Sequence, residues 1–299
     1  MKARRGKQHD LSARYPPLEV LDCRYGKMLT FRNDEVIGRS LRLYGEWAQH
    51  ELSYLRRFVI AGRDVVDVGA NIGTHTIAFS KWVGSGRVIA LEPQSFVASV
   101  LEANCALNDL RNVEIVRAAC GSRASRATYF QDHKNVGATA LKFRSALKKV
   151  VLELFSNKED DAASVSVCTL DEVLADRPVS LIKIDVEGME LEVVKGAMRV
   201  LRNWHPVVYF EQNNTKQLAQ ISEMLKGLNY RLFWLETHQF NQDNFRRETE
   251  NVWWRTETGV LAFHDSSIVP SELIEVRSDR DDIPTRQDAR VGILVPPIP

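Results

Sequence analysis

Val65-Val66-Asp67-Val68-Gly69-Ala70-Asn71-Ile72-Gly73-Thr74 reads as a strand, a tight turn and the start of a helix. A short apolar run carries one acid near its end. Two glycines then bracket Asn71, and apolar residues resume at Ile72, Ile77, Ala78 and Phe79. Gly69 and Gly73 let backbone come close to a ligand, and a helix start offers N–H groups. A dinucleotide fingerprint would read G-x-G-x-x-G, with the acid well downstream. Here the order is D-x-G-x-N-x-G. An acid beside the turn repels a pyrophosphate and can receive an ammonium group. The loop, with Asp67, Gly69, Ala70, Asn71 and Gly73, therefore suits a phosphate-free ligand carrying an amino acid, and S-adenosylmethionine fits that description.

Outward from this turn the pattern alternates. Strands are expected at 64–68, 87–92, 113–118, 164–168, 180–185, 206–211, 230–235 and 259–264. Helices are expected at 72–83, 96–107, 189–201 and 215–227, with a short one opening at Thr169 as its N-cap. Such alternation predicts an α/β fold, a parallel sheet with helices on both faces. Upstream, 46–60 reads as a helix with Trp47, Leu52, Leu55, Phe58 and Val59 on one stripe. Residues 1–40 read as irregular apart from a hairpin within 18–30. Weak patterning over 127–161 suggests an insertion, and 241–250 a polar loop. The expected divisions are an N-terminal extension and helix (1–60), a catalytic domain (61–265) and a C-terminal tail (266–299).

In an open α/β sheet the ligand lies beyond the carboxyl ends of the strands. Three such ends carry acids: Asp67, Glu92 and Asp185. Glu92, 25 residues after Asp67, is placed to accept both hydroxyls of a ribose. The segment Ile182-Lys183-Ile184-Asp185-Val186-Glu187-Gly188 puts Lys183, Asp185 and Glu187 on one face of a strand. A strand buried on both faces should be almost wholly apolar, so Lys183 needs a partner, either Asp185 or Glu211, or a purpose.

These segments resemble the FkbM family of S-adenosylmethionine-dependent methyltransferases. The similar stretches are Asp67–Gly73, Leu91-Glu92-Pro93, Ile182–Glu190, Val194-Lys195-Gly196-Ala197 and the strand from Pro206 to Glu211. The resemblance covers about residues 42–264. It implies a class I methyltransferase (Rossmann-like) fold, a seven-stranded mostly parallel sheet with one antiparallel strand near the edge. It implies O-methylation of a hydroxyl on a sugar, glycolipid or polyketide-type small molecule. Asp67, Gly69, Asn71 and Gly73 match its methionine-binding loop, Glu92 its ribose acid and Asp185 the acid beside the transferable methyl. Tyr44-Gly45-Glu46 resembles a motif whose glutamate reaches the amino end of the cofactor, and Asn135-Val136-Gly137 a loop near the acceptor. No acid stands where the family places one at the adenine, since Val116-Arg117-Ala118-Ala119-Cys120 offers Arg117 alone.

An alcohol oxygen attacks well only if its proton leaves. Candidate bases are Asp185, Glu211, Lys183, His75, His133 and His238. Asp185 is expected to position donor and acceptor, with Lys183 and Glu211 as a polar wall beside it. His75 is expected to pack or to contact the cofactor. No His, Asp or Glu grouping has metal-ligand spacing, so metal-independent catalysis is expected.

The 299 residues include 40 basic and 39 acidic ones, for a net charge of +1. That balance gives no overall field toward nucleic acid or an anionic membrane. Local patches at Arg117, Arg123, Arg126 and Lys134, and at Lys142, Arg144, Lys148 and Lys149, keep an RNA or protein acceptor open. A nucleoside-binding module without catalysis and a nicotinamide-dependent oxidoreductase are the remaining readings. The basic start lacks an apolar h-region, and no run approaches the roughly 20 apolar residues of a membrane span. A cytoplasmic protein is expected. Cys23, Cys105, Cys120 and Cys168 lack metal or disulfide spacing and are expected to be free thiols, with Cys120 a candidate pocket residue. Trp234, Trp253 and Trp254 are core residues or a platform for a sugar ring.

Overall fold

The stretch Asp64–Val68 forms a strand (β3) with all five residues buried. The turn after it leads into helix α3 (Thr74–Trp82), whose N-cap is Gly73 at φ 93°. The computed structural model describes residues 17–130, 141–142, 162–212, 215–254 and 256–276. In chain order the other strands of the main sheet are β4 (Val88–Leu91), β5 (Val113–Val116), β10 (Val179–Ile184), β11 (Val207–Glu211), β12 (Tyr230–His238), β13 (Thr256–His264) and β14 (Ile274–Glu275). Their spatial order is β14-β12-β13-β11-β10-β3-β4-β5. Strands β5, β4, β3, β10 and β11 run parallel, and β13 lies antiparallel between β11 and β12. This is the class I methyltransferase arrangement.

The sheet has eight described strands rather than seven. Ile274–Glu275 pair antiparallel with Phe233 and Trp234, so the expected tail begins by adding an edge strand. From β3 the chain moves outward through β4 and β5, then returns to the other side of β3 as β10. The loops leaving β3 and β10 therefore diverge, which opens a crevice at their carboxyl ends.

Side-chain parity divides the core. Val66, Val68, Ile182 and Ile184 pack with α6 (Glu190–Lys195), α7 (Met198–Trp204) and α8 (Thr215–Lys226). Val65, Leu181 and Tyr209 pack with α3 and with α2 (Gln49–Leu55). In register, Lys183 stands beside Asp67 on one side and Tyr209 on the other. All three thus project from neighbouring strands onto the α2/α3 face.

Other departures from the sequence reading have local causes. Helix α1 (Ile37–Tyr44) lies in a segment expected to be irregular. It has barely two turns and buries Leu41 and Tyr44, while Gly45 at φ 68° ends it by donating to the Leu41 carbonyl. The expected helix over 46–60 shortens to α2 plus a 3₁₀ turn at Arg56–Phe58. The single helix over 189–201 divides because Asp171 accepts hydrogen bonds from the backbone N–H groups of Arg199 and Val200, capping α7. Gly196 sits at that break, where a Cβ would lie 2.1 Å from the Gly121 carbonyl oxygen. Strand β7 (Ser125–Phe130) occupies part of the expected insertion. It belongs to a second sheet, ordered β6-β9-β7-β8, with β6 (Ala119–Cys120), β8 (Leu141–Lys142) and β9 (Ala162–Cys168). Thr169 caps α5 (Leu170–Leu174) in a reciprocal box with Glu172, as its sequence predicts. The hairpin β1 (Leu18–Cys23) and β2 (Gly26–Phe31) docks on α4 (Ser95–Leu107), where buried Asn104 bonds both backbone groups of Leu29 and the Ile72 carbonyl. Among the described residues no helix is long and apolar enough to cross a membrane.

Candidate active site

The crevice holds a cavity of about 220 Å³ whose walls include Gly69, Asn71, Glu92, Lys183, Asp185 and Glu211. Its base is the turn after β3. Gly69 at φ 79° leaves no room for a side chain, since a Cβ would lie 1.8 Å from the Asp185 carbonyl oxygen. That contact brings the ends of β3 and β10 together. Gly69→Ala should cost about 2–4 kcal/mol through strain and backbone displacement, visible as a lower melting temperature. A variant melting with the wild type would remove the close contact from the argument.

Each N–H group from Gly69 to Gly73 is used inside the protein. Gly69 and Ala70 donate to Leu91, Asn71 to Glu92, Ile72 to the side chain of Asn71, and Gly73 to Ala70. The turn therefore spends its own amides on its shape. A pyrophosphate would find none of these five available, in keeping with the phosphate-free ligand read from the sequence.

Glu92 is buried at the end of β4 and accepts from Asn71 N–H at 3.1 Å and Gln94 N–H at 2.8 Å. Burial pushes its carboxyl up to about 7, against the pull of those two donors and of Lys183, with the charge of Asp67 adding to the rise. Each carboxylate oxygen keeps a lone pair for a further donor.

Asp67 does not line the cavity. It is fully buried beneath the turn, where Oδ2 accepts from Thr76 Oγ1 at 2.6 Å and Oδ1 lies 3.3 Å from Lys183 Nζ. That oxygen is in ion-pair contact but receives no aligned hydrogen bond. Lys183 Nζ also lies 3.3 Å from Asp185 Oδ2. Burial disfavours its charge, but Asp185, Asp67 and Glu51 outweigh that and hold Lys183 above the usual lysine range. It is an ammonium at neutral pH and cannot serve as the base. Asp185 faces the cavity. Burial pushes its carboxyl up, yet Lys183 and a hydrogen bond with Glu211 hold it below the usual range. A hydrogen bond between two carboxyl groups needs one shared proton.

Two further corrections concern the amino-terminal half. Glu46 is not part of the cavity wall: it clasps Arg24 Nε at 2.6 Å, Asn241 Nδ2 at 2.8 Å and Phe245 N–H at 3.0 Å. Gly73 is likewise outside the wall, and a Cβ there would meet Leu101 Cδ1 at 2.4 Å. The carboxylate that α2 does bring to the cavity is Glu51. Its oxygens meet Tyr209 Oη, a donor at 2.6 Å, and His75 Nε2 at 2.9 Å. Burial, then Glu51, hold Tyr209 well above the usual tyrosine range, so it remains a phenol. Sequence reading missed both residues. Glu51 falls one turn after Trp47 and one before Leu55 on an apolar stripe, and that interruption was the available signal.

Cys120 lines the cavity beside Ala118 and Ala119, and all four cysteines are free. Arg117 points elsewhere, to Glu102 and the Ser95 carbonyl. Trp234 is core, Trp253 meets Trp47 edge to face, and Trp254 is exposed. His238 is exposed near His50. His133 and Asn135-Val136-Gly137 lie outside the described residues, as do Lys134, Arg144, Lys148 and Lys149. No group of three or more metal-ligating side chains occurs among the described residues.

Methyltransferase sdnD of Sordaria araneosa is 30% identical to this chain over 153 residues, 44% of this chain and 59% of that protein. Methyltransferase 1 of Beauveria bassiana is 28% identical over 144 residues, 44% and 57% respectively. The matches thus span a little under six-tenths of those proteins. Among solved structures, methyltransferase FkbM from Methylobacillus flagellatus aligns with TM-score 0.44 and 17% identity, over 67% of this chain and 43% of that one. An S-adenosylmethionine-dependent O-methyltransferase from Thermotoga maritima aligns with TM-score 0.44 and 15% identity, over 84% and 79%. The family model for the methyltransferase FkbM domain matches residues 67–232, more than half of the chain. It starts at the buried aspartate under the turn and runs past the strands that carry Lys183 and Tyr209, so the base of the cavity falls inside it and the chain belongs to the FkbM methyltransferase family.

Proposed function

We propose that the chain transfers a methyl group from S-adenosylmethionine to a hydroxyl oxygen of a sugar, glycolipid or polyketide-type small molecule. The observation that carries this reading is the row of polar groups along the carboxyl ends of β4, β3, β10 and β11, over a turn with no amide to spare for phosphate. The donor set suits a cationic, phosphate-free cofactor: the carboxylates of Glu51, Glu92, Asp185 and Glu211 stand around the cavity.

When bound, S-adenosylmethionine supplies an electrophilic methyl group and leaves as a neutral thioether. Glu92, held by the Asn71 amide, would accept the two ribose hydroxyls. Gly69 and Ala70 would lie under the methionine portion, with Glu51 and Asp185 as the carboxylates facing its ammonium. Asp67 acts from below by fixing Lys183, and Lys183 fixes Asp185. The hydrogen-bonded Asp185–Glu211 pair would receive the proton of the acceptor hydroxyl, a contribution of about 10²–10⁴-fold for a general base. Alignment of donor and acceptor supplies more, on the order of 7–11 kcal/mol in favourable model systems.

Isothermal titration with S-adenosylhomocysteine, with NAD as control, tests the reading. Binding of the first alone is expected. Binding of NAD alone would overturn it, and binding of neither would remove the donor site.

A further inference from the structure

The row of polar groups continues beyond Glu211. Strand β13 pairs antiparallel with β11, with Gly259 opposite Glu211. Glu257, two residues before Gly259, points to the same face and lines the cavity. Across the β12–β13 pair, Gln239 follows the last residue of β12 and donates from Nε2 to Glu257 Oε1 at 2.8 Å. Gln239 also lines the cavity and is only 7% exposed. Its Oε1 is buried and accepts no hydrogen bond. A buried amide oxygen left without a donor is costly to the fold. Here it stands in the wall of a cavity, where a ligand hydroxyl can supply the missing proton.

The surrounding charge restricts what that ligand can be. On this side the wall carries Asp185, Glu187, Glu211 and Glu257. Among the described residues it contains no arginine, and its lysine, Lys183, is already held by Asp67 and Asp185. A phosphate or carboxylate would meet like charges with no free cation to offset them. A neutral hydroxyl suits this end of the wall, because the Glu257 carboxylate and the Gln239 oxygen only accept, and a hydroxyl donates. The amide–carboxylate pair presents two acceptors side by side, which matches two hydroxyls on one molecule.

Resting on the methyltransferase reading above, we propose that Gln239 and Glu257 form the acceptor subsite and that it takes an uncharged, polyhydroxylated compound. Donor and acceptor then occupy opposite ends of one row, with Asp185 and Glu211 between them.

The test is saturation-transfer NMR on the full chain loaded with S-adenosylhomocysteine. The probes are a pool of neutral methyl glycosides, with glucose 6-phosphate and glucosamine as charged counterparts. Transfer to neutral glycosides is expected. Gln239→Leu and Glu257→Gln should each weaken it by about tenfold, the size of one lost hydrogen bond, with unchanged affinity for S-adenosylhomocysteine. That unchanged affinity also shows that the variants fold. The proposal falls if no glycoside responds, if the phosphate or the amine is preferred, or if both variants respond like the wild type. Failure of the wild type to bind S-adenosylhomocysteine would overturn the methyltransferase reading instead.

Discussion

Lys183→Met should lower the melting temperature by about 10 °C, from a loss of about 3–5 kcal/mol when a buried ion pair loses one partner. The lysine is 3% exposed and lies 3.3 Å from both Asp67 and Asp185. Removing it leaves the fully buried Asp67 with Thr76 as its remaining side-chain partner. The charge then has no counterion inside the sheet. Asp185 suffers less, since it opens on the cavity and water can reach it.

A second variant separates this cause from simple loss of packing. Asp67→Asn in the Lys183→Met background removes the stranded charge, and most of the lost stability should return, because replacing both partners of a buried pair is often close to neutral. If the double variant is no more stable than Lys183→Met, the stranded carboxylate is not the cause. The pH dependence has a definite sign. Lys183 is held above its usual range, so its contribution is complete below the ordinary lysine value and is lost only as pH rises through the higher folded one. Asp185 is held below its range, so its contribution is complete above the ordinary aspartate value and is lost as pH falls through the lower folded one. Between pH 5 and 9 the contributions of these two groups to the stability of the wild type should therefore be flat.

Asp64–Val68 was legible because Val65, Val66 and Val68 lead straight into a glycine turn and a helical pattern, and Lys183 stood out because a strand buried on both faces is otherwise apolar. What single-strand reading could not supply was register. Asp67, Lys183 and Tyr209 form one row across three strands, yet they lie far apart in sequence, and nothing local to any one of them names the others. The expected partner of Lys183 was accordingly Asp185 or Glu211, while the fully buried partner is Asp67.

Glu46 and Glu51 show the same limit within a few residues. Both are buried acids, and a motif resemblance favoured the first. The structure spends Glu46 on joining Arg24 to the 241–245 loop, a contact more than 190 residues distant in sequence, and brings Glu51 to the cavity instead. Helix phase decides between them: Glu51 lies within α2, one turn before the buried Leu55, whereas Glu46 precedes the helix. Gln239 and Glu257 carried no signal, since a polar pair at a strand end gains meaning only when the facing wall is known.

Glu92→Gln should weaken binding of S-adenosylhomocysteine by about a hundredfold at pH 8, the loss of charge-assisted hydrogen bonds worth near 3 kcal/mol. In the free protein Glu92 sits near 7 because burial disfavours its charge. In its proposed role it must be ionised to accept two hydroxyls, so the ligand selects the ionised form. Wild-type affinity should fall as pH drops below 7, and binding at pH 6.5 should release a proton. Titration in buffers of different ionisation enthalpy measures that release directly. Stability of the free protein runs the other way. A carboxyl with a raised folded value contributes stability that is complete below its ordinary value and is lost as pH rises through about 7. The free enzyme therefore gives up about 3 kcal/mol to keep Glu92 charged at pH 8, and the ligand restores part of it. In Glu92→Gln both the proton release and the pH dependence of affinity should vanish. Proton release persisting in that variant would assign the titration to another group in the cavity and leave Glu92 as a brace for the Asn71 turn.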